Sequence, residues 1–151
     1  MQSTTITHKN AANQSFMPVM RELVRAYQAF SAYDSAAYIG TELTAPQADV
    51  IFTLGNTEGM CFKEIGEHTL ITKGTLTGIV ERLENKGLVK KVSSPDDRRH
   101  VIVSLTAKGK KVFETEFPRQ VIHIKQRFDR LTKKELAEAE KVLRRLREIF
   151  G

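Results

Sequence analysis

Four consecutive charges, Asp96, Asp97, Arg98 and Arg99, stand in the stretch SSPDDRRHVIVSLTAKG, just before an alternating apolar run. Two guanidinium groups at such a place can pair with carboxylate or phosphate. They also suit a narrow DNA minor groove, whose negative potential attracts arginine. Some twenty residues upstream a second set gathers: Lys73, Thr75, Thr77, Gly78 and Arg82. Its hydroxyls and cations are of the kind that touch base edges and backbone phosphates. Taken alone, a DDRR turn is an ordinary solvated turn. The elements that hold the two sets decide between these readings.

Those elements can be read from the spacing of apolar residues. Phe16, Val19, Met20, Leu23, Val24, Tyr27 and Phe30 follow a helical period with one buried face. Pro18 places the start of this helix near Ser15, because proline is tolerated only in a first turn. A second helix opens at Thr44, which has capping-box spacing to Gln47, and ends at Gly55-Asn56. A short helix around Lys63–His68, a turn at Leu70–Thr72 and a longer helix over Lys73–Lys86 follow, with Gly87 as the C-terminal stop. The period then changes to two. LVKKVS and HVIVSL read as strands joined by SPDDRR, a hairpin with the charges at or near its tip.

After Thr106 the helical period returns through Phe113, Phe117, Val121, Ile124 and Phe128, with a kink expected at Pro118. The last helix starts at a Thr132/Glu135 capping box. It repeats Leu136, Ala139, Leu143, Leu146 and Phe150 in steps of three and four, the seam of a coiled coil. A terminal helix cannot bury that seam alone, so these five residues are expected at a dimer interface.

Helix, helix, turn, helix and hairpin in that order make a winged helix-turn-helix. The expected fold is mostly α with a small β-hairpin wing. Residues 41–111 form the winged helix-turn-helix, and residues 15–40 and 112–151 form a helical dimerisation region. The third helix would present Leu76, Ile79, Val80 and Leu83 inward, and Gly74, Gly78, Glu81, Arg82 and Asn85 outward. Two outward glycines weaken a helix that meets only water. They suit one whose backbone is pressed into a groove.

Charge follows the same division. The chain carries 24 basic and 18 acidic side chains, a formal net charge of +6. Residues 1–62 hold 3 basic and 5 acidic groups, residues 63–111 hold 11 and 6, and residues 112–151 hold 10 and 7. The excess is greatest in the middle segment, the best candidate for a phosphate-facing surface.

The segment TLTGIVERLENKGLVKKVSSPDDRRHVIVSLTAKG resembles the signature of the MarR family of bacterial transcription regulators. The correspondence runs through Thr75-Leu76, Leu83-Glu84, Gly87-Leu88-Val89, Asp97-Arg98-Arg99, Thr106 and Gly109, and the upstream LTAPQADVI fits as well. The resemblance implies a homodimer with interleaved first and last helices, which sets two winged helices on a near-palindromic operator in double-stranded DNA. It implies a repressor in many members, released by a small aromatic, often phenolic, inducer bound between the dimer and DNA-binding parts. Lys73, Thr75, Thr77, Gly78, Arg82, Arg98 and Arg99 are then the expected DNA-binding residues. Arg98 is assigned to the minor groove, and Asp97 shapes the wing by pairing with an arginine. Tyr27, Phe30, Tyr33, Tyr38 and Phe52 are aromatic candidates for a pocket, though at helical spacing they serve equally well as core, and no ligand-binding residue is assigned.

Other classes find little support. No Ser/His/Asp set, Gly-rich phosphate loop or paired acids in a cleft points to an enzyme. No cofactor is expected, and His8, His68, His100 and His123 are too scattered for a metal site. Cys61 is the single cysteine, so no internal disulfide forms and a reducing cytoplasm is expected, with Cys61 a small buried residue rather than a redox switch. No apolar stretch is long enough to span a bilayer, and the polar N-terminus lacks a signal-peptide core. The alternative function is a winged-helix protein-interaction or architectural module without small-molecule control. If the wing reading holds, Arg98→Ala weakens operator binding without lowering thermal stability. It also lowers the salt slope of log K by about one unit per contact removed in each subunit. Fluorescence anisotropy on operator and scrambled duplexes at several salt concentrations checks this.

Overall fold

The computed structural model of the chain describes residues 5–69, 71–97 and 99–151. Six α-helices lie among them: α1 (Met17–Ala36), α2 (Ala45–Leu54), α3 (Phe62–His68), α4 (Lys73–Asn85), α5 (Ala107–Phe128) and α6 (Lys133–Phe150). Three short strands, β1 (Met60–Cys61), β2 (Val89–Ser93) and β3 (Val101–Leu105), form one antiparallel sheet in the order β1-β3-β2. The expected winged helix-turn-helix is present, flanked by helices. Leu70, in the expected turn before α4, and Arg98 lie outside the described residues.

The helix starts follow local chemistry. Thr44 and Thr132 each accept from the backbone N–H of the residue three on, and Gln47 and Glu135 return the bond to the cap N–H. Glu64 does the same for Cys61 N–H, at 2.8 Å. Those N–H bonds hold the carboxyls of Glu64 and Glu135 below the usual glutamate range. Pro18 sits in the first turn of α1, which starts at Met17, two residues later than expected.

The core belongs to the winged unit. Val50, Ile51 and Leu54 of α2, Ile65 of α3, Leu76, Val80 and Leu83 of α4 and Val103 of β3 are all but fully buried. The spacing 76, 79, 80, 83 turns one stripe of α4 onto this core. The strand absent from the sequence reading is β1. Met60 and Cys61 pair with Val103 and Ile102, so the wing is a three-stranded sheet rather than a lone hairpin. Two residues are too few to show a period of two.

One joint couples the wing, α4 and α5. After α4, Gly87 takes a left-handed φ of +71°, its N–H bonds to Glu84 C=O, and Leu88 N–H bonds to Leu83 C=O. This is a Schellman stop, which needs a residue without a Cβ penalty at that φ. Leu88 is thereby folded back into the core. Thr106 then serves two neighbours. Its hydroxyl donates to Gly87 C=O at 2.6 Å and accepts from Gly109 N–H at 3.0 Å, capping α5. Gly109 passes so near the strand that a Cβ there would lie 2.0 Å from Leu88 O. Gly87-Leu88 and Thr106/Gly109, nineteen residues apart, are two halves of one contact.

α5 runs unbroken through Pro118 and through position 112, so the expected domain boundary at 111/112 falls inside a helix. Its first half packs on the winged unit, where Phe113 is buried and stacks on Phe117 at 5.2 Å. Its second half meets α1. Tyr33 and His123 stack at 4.0 Å, Tyr33 Oη donates to His123 C=O, and a ring nitrogen of His123 bonds Tyr33 C=O. Val121 and Phe128 of its apolar face stay exposed, as do most apolar residues of α1 and α6, neither of which has a buried residue.

Gly109→Ala is expected to destabilise the fold by about 1–3 kcal/mol, because a backbone oxygen blocks the new methyl and the joint must open. Denaturant unfolding checks this against Gly66→Ala, a helical position where a Cβ meets open space.

Candidate nucleic-acid interface

The outward side of α4 is open along its length. Lys73, Gly74, Thr75, Thr77, Glu81, Arg82 and Asn85 are exposed and Gly78 is half-buried. A Cβ at Gly74 or Gly78 would meet nothing within 4 Å, so neither glycine is required by packing inside the chain. Both leave the helix backbone approachable from outside. At the N-terminus of α4, Thr72 does not cap with its side chain. Its hydroxyl instead bonds that of Thr75 at 3.1 Å. The first-turn N–H groups thus lack a side-chain cap at the positive end of the helix dipole, an arrangement that favours anions. Thr77 Oγ donates back to Lys73 C=O at 3.4 Å, a weak bond that a better acceptor can replace.

The wing is held beside this helix. Lys91 Nζ pairs with Glu84 at 3.3 Å, tying β2 to the last turn of α4. At the tip, Ser94 N–H bonds His100 C=O at 2.7 Å and His100 N–H bonds Asp97 C=O at 2.9 Å. Asp97 Oδ1 accepts from Arg99 backbone N–H at 2.9 Å, while the Arg99 Nε lies 3.8 Å away. Asp97 therefore acts on the loop mainly through the backbone, with the arginine side chain a loose second partner. The Arg99 side chain is almost wholly exposed at 97%. The sequence-predicted residues Lys73, Thr75, Thr77, Gly78 and Arg82 thus share one open helix face, with Asp97 and Arg99 on the adjoining wing. Arg98 is outside the described residues.

Comparison with known proteins places this arrangement. The model of the MarR family matches residues 43–101, from the residue before the α2 cap to the start of β3. A probable transcriptional regulator from Pseudomonas aeruginosa is 30% identical, with a TM-score of 0.67 over 80% of this chain and 92% of that one. The chain belongs to the MarR family. Bordetella bronchiseptica BpsR, whose DNA binding is described as regulated by 6-hydroxynicotinic acid, is 28% identical with a TM-score of 0.78 over 88% and 95% of the two chains. The uncharacterized HTH-type transcriptional regulator YfiV of Bacillus subtilis is 24% identical over 89% of this chain and 84% of its own. Family membership sets the chain among transcription regulators rather than enzymes.

Within this MarR-family chain, three lysines of the most basic segment are engaged by groups of the chain itself. Lys91 is bound to Glu84 as above. Lys108 Nζ donates to Lys86 C=O at 3.0 Å, and Lys86 Nζ donates to Gln47 Oε1 at 3.1 Å and to Glu42 C=O. Their partners are distant in sequence, so no local pattern could have marked them. Cys61 is half-buried rather than buried; it is both a strand residue of β1 and the cap of α3. Among the described residues, no group of three or more His, Cys, Asp or Glu could hold a metal ion.

A cleft of about 470 Å³ opens where α1 and α5 meet α2. Of the five candidate aromatics, Tyr27, Phe30, Tyr38 and Phe52 line it, and Tyr33 stands outside, stacked on His123. Sequence reasoning missed the polar lining: Asp34 from α1, Asp49 from α2 and Gln120 from α5.

Gly78→Ala separates a purely structural role from a groove-facing one. Alanine is expected to stabilise the fold by up to about 1 kcal/mol, since the helix gains propensity and nothing blocks the methyl. If this face lies against a duplex, the same change weakens operator binding. Paired denaturant and anisotropy titrations check both halves.

Proposed function

We propose that this chain is a homodimeric, sequence-specific DNA-binding transcription regulator, a repressor whose operator binding responds to a small-molecule inducer. The observation that carries the reading is the open face of α4 with Gly74 and Gly78 unobstructed, held beside an exposed wing in the most basic part of the chain. In this reading α4 enters the major groove. Thr75 and Thr77 meet base edges, Lys73, Arg82 and Arg99 meet phosphates or the neighbouring minor groove, and Arg98, next to Arg99 in sequence, joins them. Asp97 aims the tip. The regulation of BpsR by an aromatic acid supports an effector-responsive scheme.

The dimer follows from surface left open. On α6, Leu143 is 55% and Phe150 80% exposed, and on α1, Phe16 is 56% and Val24 50% exposed. With Leu136, Ala139 and Leu146, these make a long apolar surface that water disfavours. A second copy covers it and makes a two-fold pair of winged units matched to a near-palindromic site. A DNA partner of this kind is met in the cytoplasm, which this reading gives as the protein's compartment.

Sedimentation equilibrium at micromolar concentration is expected to give twice the 17.1 kDa chain mass. Footprinting on the promoter of the protein's own gene is expected to show two protected half-sites about one helical turn apart. Log K should fall steeply with log salt. A folded monomer, or equal affinity for operator and scrambled duplex, overturns the proposal. Salt-insensitive capture of a protein partner would instead favour an interaction module.

A further inference from the structure

The open face of α4 carries a carboxylate, although a helix that meets phosphates has little use for one. Residues 63–111 hold six acids, and four of them are engaged by the chain itself. Glu64 accepts from Cys61 N–H, Glu67 pairs with Lys63, Glu84 pairs with Lys91, and Asp97 accepts from Arg99 N–H. Glu81 is exposed and makes no ion pair or side-chain hydrogen bond among the described residues. The reason is local. Other helices pair an acid with a cation three or four residues away, as Glu22 with Arg25 and Glu138 with Lys134. The corresponding neighbours of Glu81 are Thr77, Gly78, Glu84 and Asn85, none of them a cation.

The place of Glu81 on the helix is equally particular. Gly74, Gly78, Glu81 and Asn85 follow at steps of four, three and four, so they form one line along α4. That line runs roughly opposite the buried Leu76, Ile79, Val80 and Leu83. Long side chains of a helix lean toward its N-terminus, over the turn before their own Cα. That direction takes Glu81 over Gly78, where even a Cβ would meet nothing within 4 Å. Neither glycine has a side chain to screen the carboxylate from a partner that approaches along this line.

We infer that Glu81 is a specificity-determining residue, whose carboxylate accepts from the N4 amino group of one cytosine in each half-site and disfavours duplexes that lack it. The inference rests on the major-groove reading of α4 above and names a base for it. A carboxylate can only accept, and the major-groove edge offers two donors, cytosine N4 and adenine N6. Adenine N6 lies between two acceptors, its own N7 and thymine O4. Cytosine N4 has an acceptor on one side only, guanine O6. The phosphates repel the same carboxylate, so Glu81 weakens binding to every duplex and recovers the loss only at the right base.

Selection from a randomised duplex library, run with the intact wild type, Glu81→Ala and Glu81→Gln, tests this. The wild type is expected to select cytosine at one position of each half-site. Glu81→Ala should keep the rest of the site and lose that cytosine. Glu81→Gln should admit adenine there, because an amide both donates and accepts. Fluorescence anisotropy then compares the selected duplex, a scrambled duplex and the selected duplex with that C·G pair changed to T·A, which puts O4 in place of N4. The change should cost the wild type roughly tenfold or more, and Glu81→Ala less than about threefold. Glu81→Ala should also bind the scrambled duplex more tightly than the wild type does. Thermal unfolding of both variants checks that the fold is intact. An unchanged selected site in both folded variants overturns the inference and leaves the major-groove reading standing. So does an equal loss on all three duplexes, which marks a residue that only positions α4 or the wing. A wild type that selects no site sinks the major-groove reading, and this inference with it.

Discussion

The contact of Thr106 and Gly109 with Gly87 and Leu88 is where the elements of the winged unit are fastened together. Gly87 stops α4 and turns the chain into β2, and Thr106 ends β3 and caps α5. The hydroxyl of Thr106 joins the two stops, and Gly109 lets the first turn of α5 lie against the Leu88 carbonyl. Four short-range requirements meet there: a left-handed φ, a cap acceptor, a donor for Gly87 C=O and the absence of a Cβ. Together they set the angle between α4, the wing and α5. A helix face can be placed against a rigid partner only if that angle is fixed.

Around this joint the charges divide into two kinds. Lys86, Lys91 and Lys108 hold elements together and are spent on carbonyls or carboxylates of their own chain. Lys73, Arg82 and Arg99 are exposed, and none of the three spends its charge on a distant element of the chain. The distinction matters because only the second kind can exchange counterions for phosphates and so contribute to salt-dependent binding. Counting basic residues in the segment overstates the charge free for a partner.

The flanking helices show the opposite economy. α1 and α6 carry apolar faces but bury no residue, while the winged unit contributes nearly all of the core. What ties α1 to the rest of the chain is narrow: the Tyr33–His123 stack on α5, and the cleft shared with α2 and α5, with its two carboxylates and the half-satisfied Gln120. A narrow, polar and imperfectly satisfied junction between two better-defined parts is a natural place for small free energies to change their relative position.

Much of the fold was legible in the residues themselves, because local rules sufficed. The capping pairs Thr44/Gln47 and Thr132/Glu135, the α4 stripe from Leu76 to Leu83 and the glycine stop at Gly87 depend on neighbours within a few residues, so spacing alone determined them. The side chains expected on the outer face of α4 are exposed for the same reason: the stripe leaves only one side free. β1 was invisible, since two residues have no period and exist as a strand only through Val103 and Ile102. The duties of Lys86 and Lys108, the backbone partner of Asp97 and the meeting of Asp34, Asp49 and Gln120 were decided by tertiary structure alone. Sequence spacing carries short-range geometry. Which polar groups lose water together depends on how distant helices pack, and no local pattern records that.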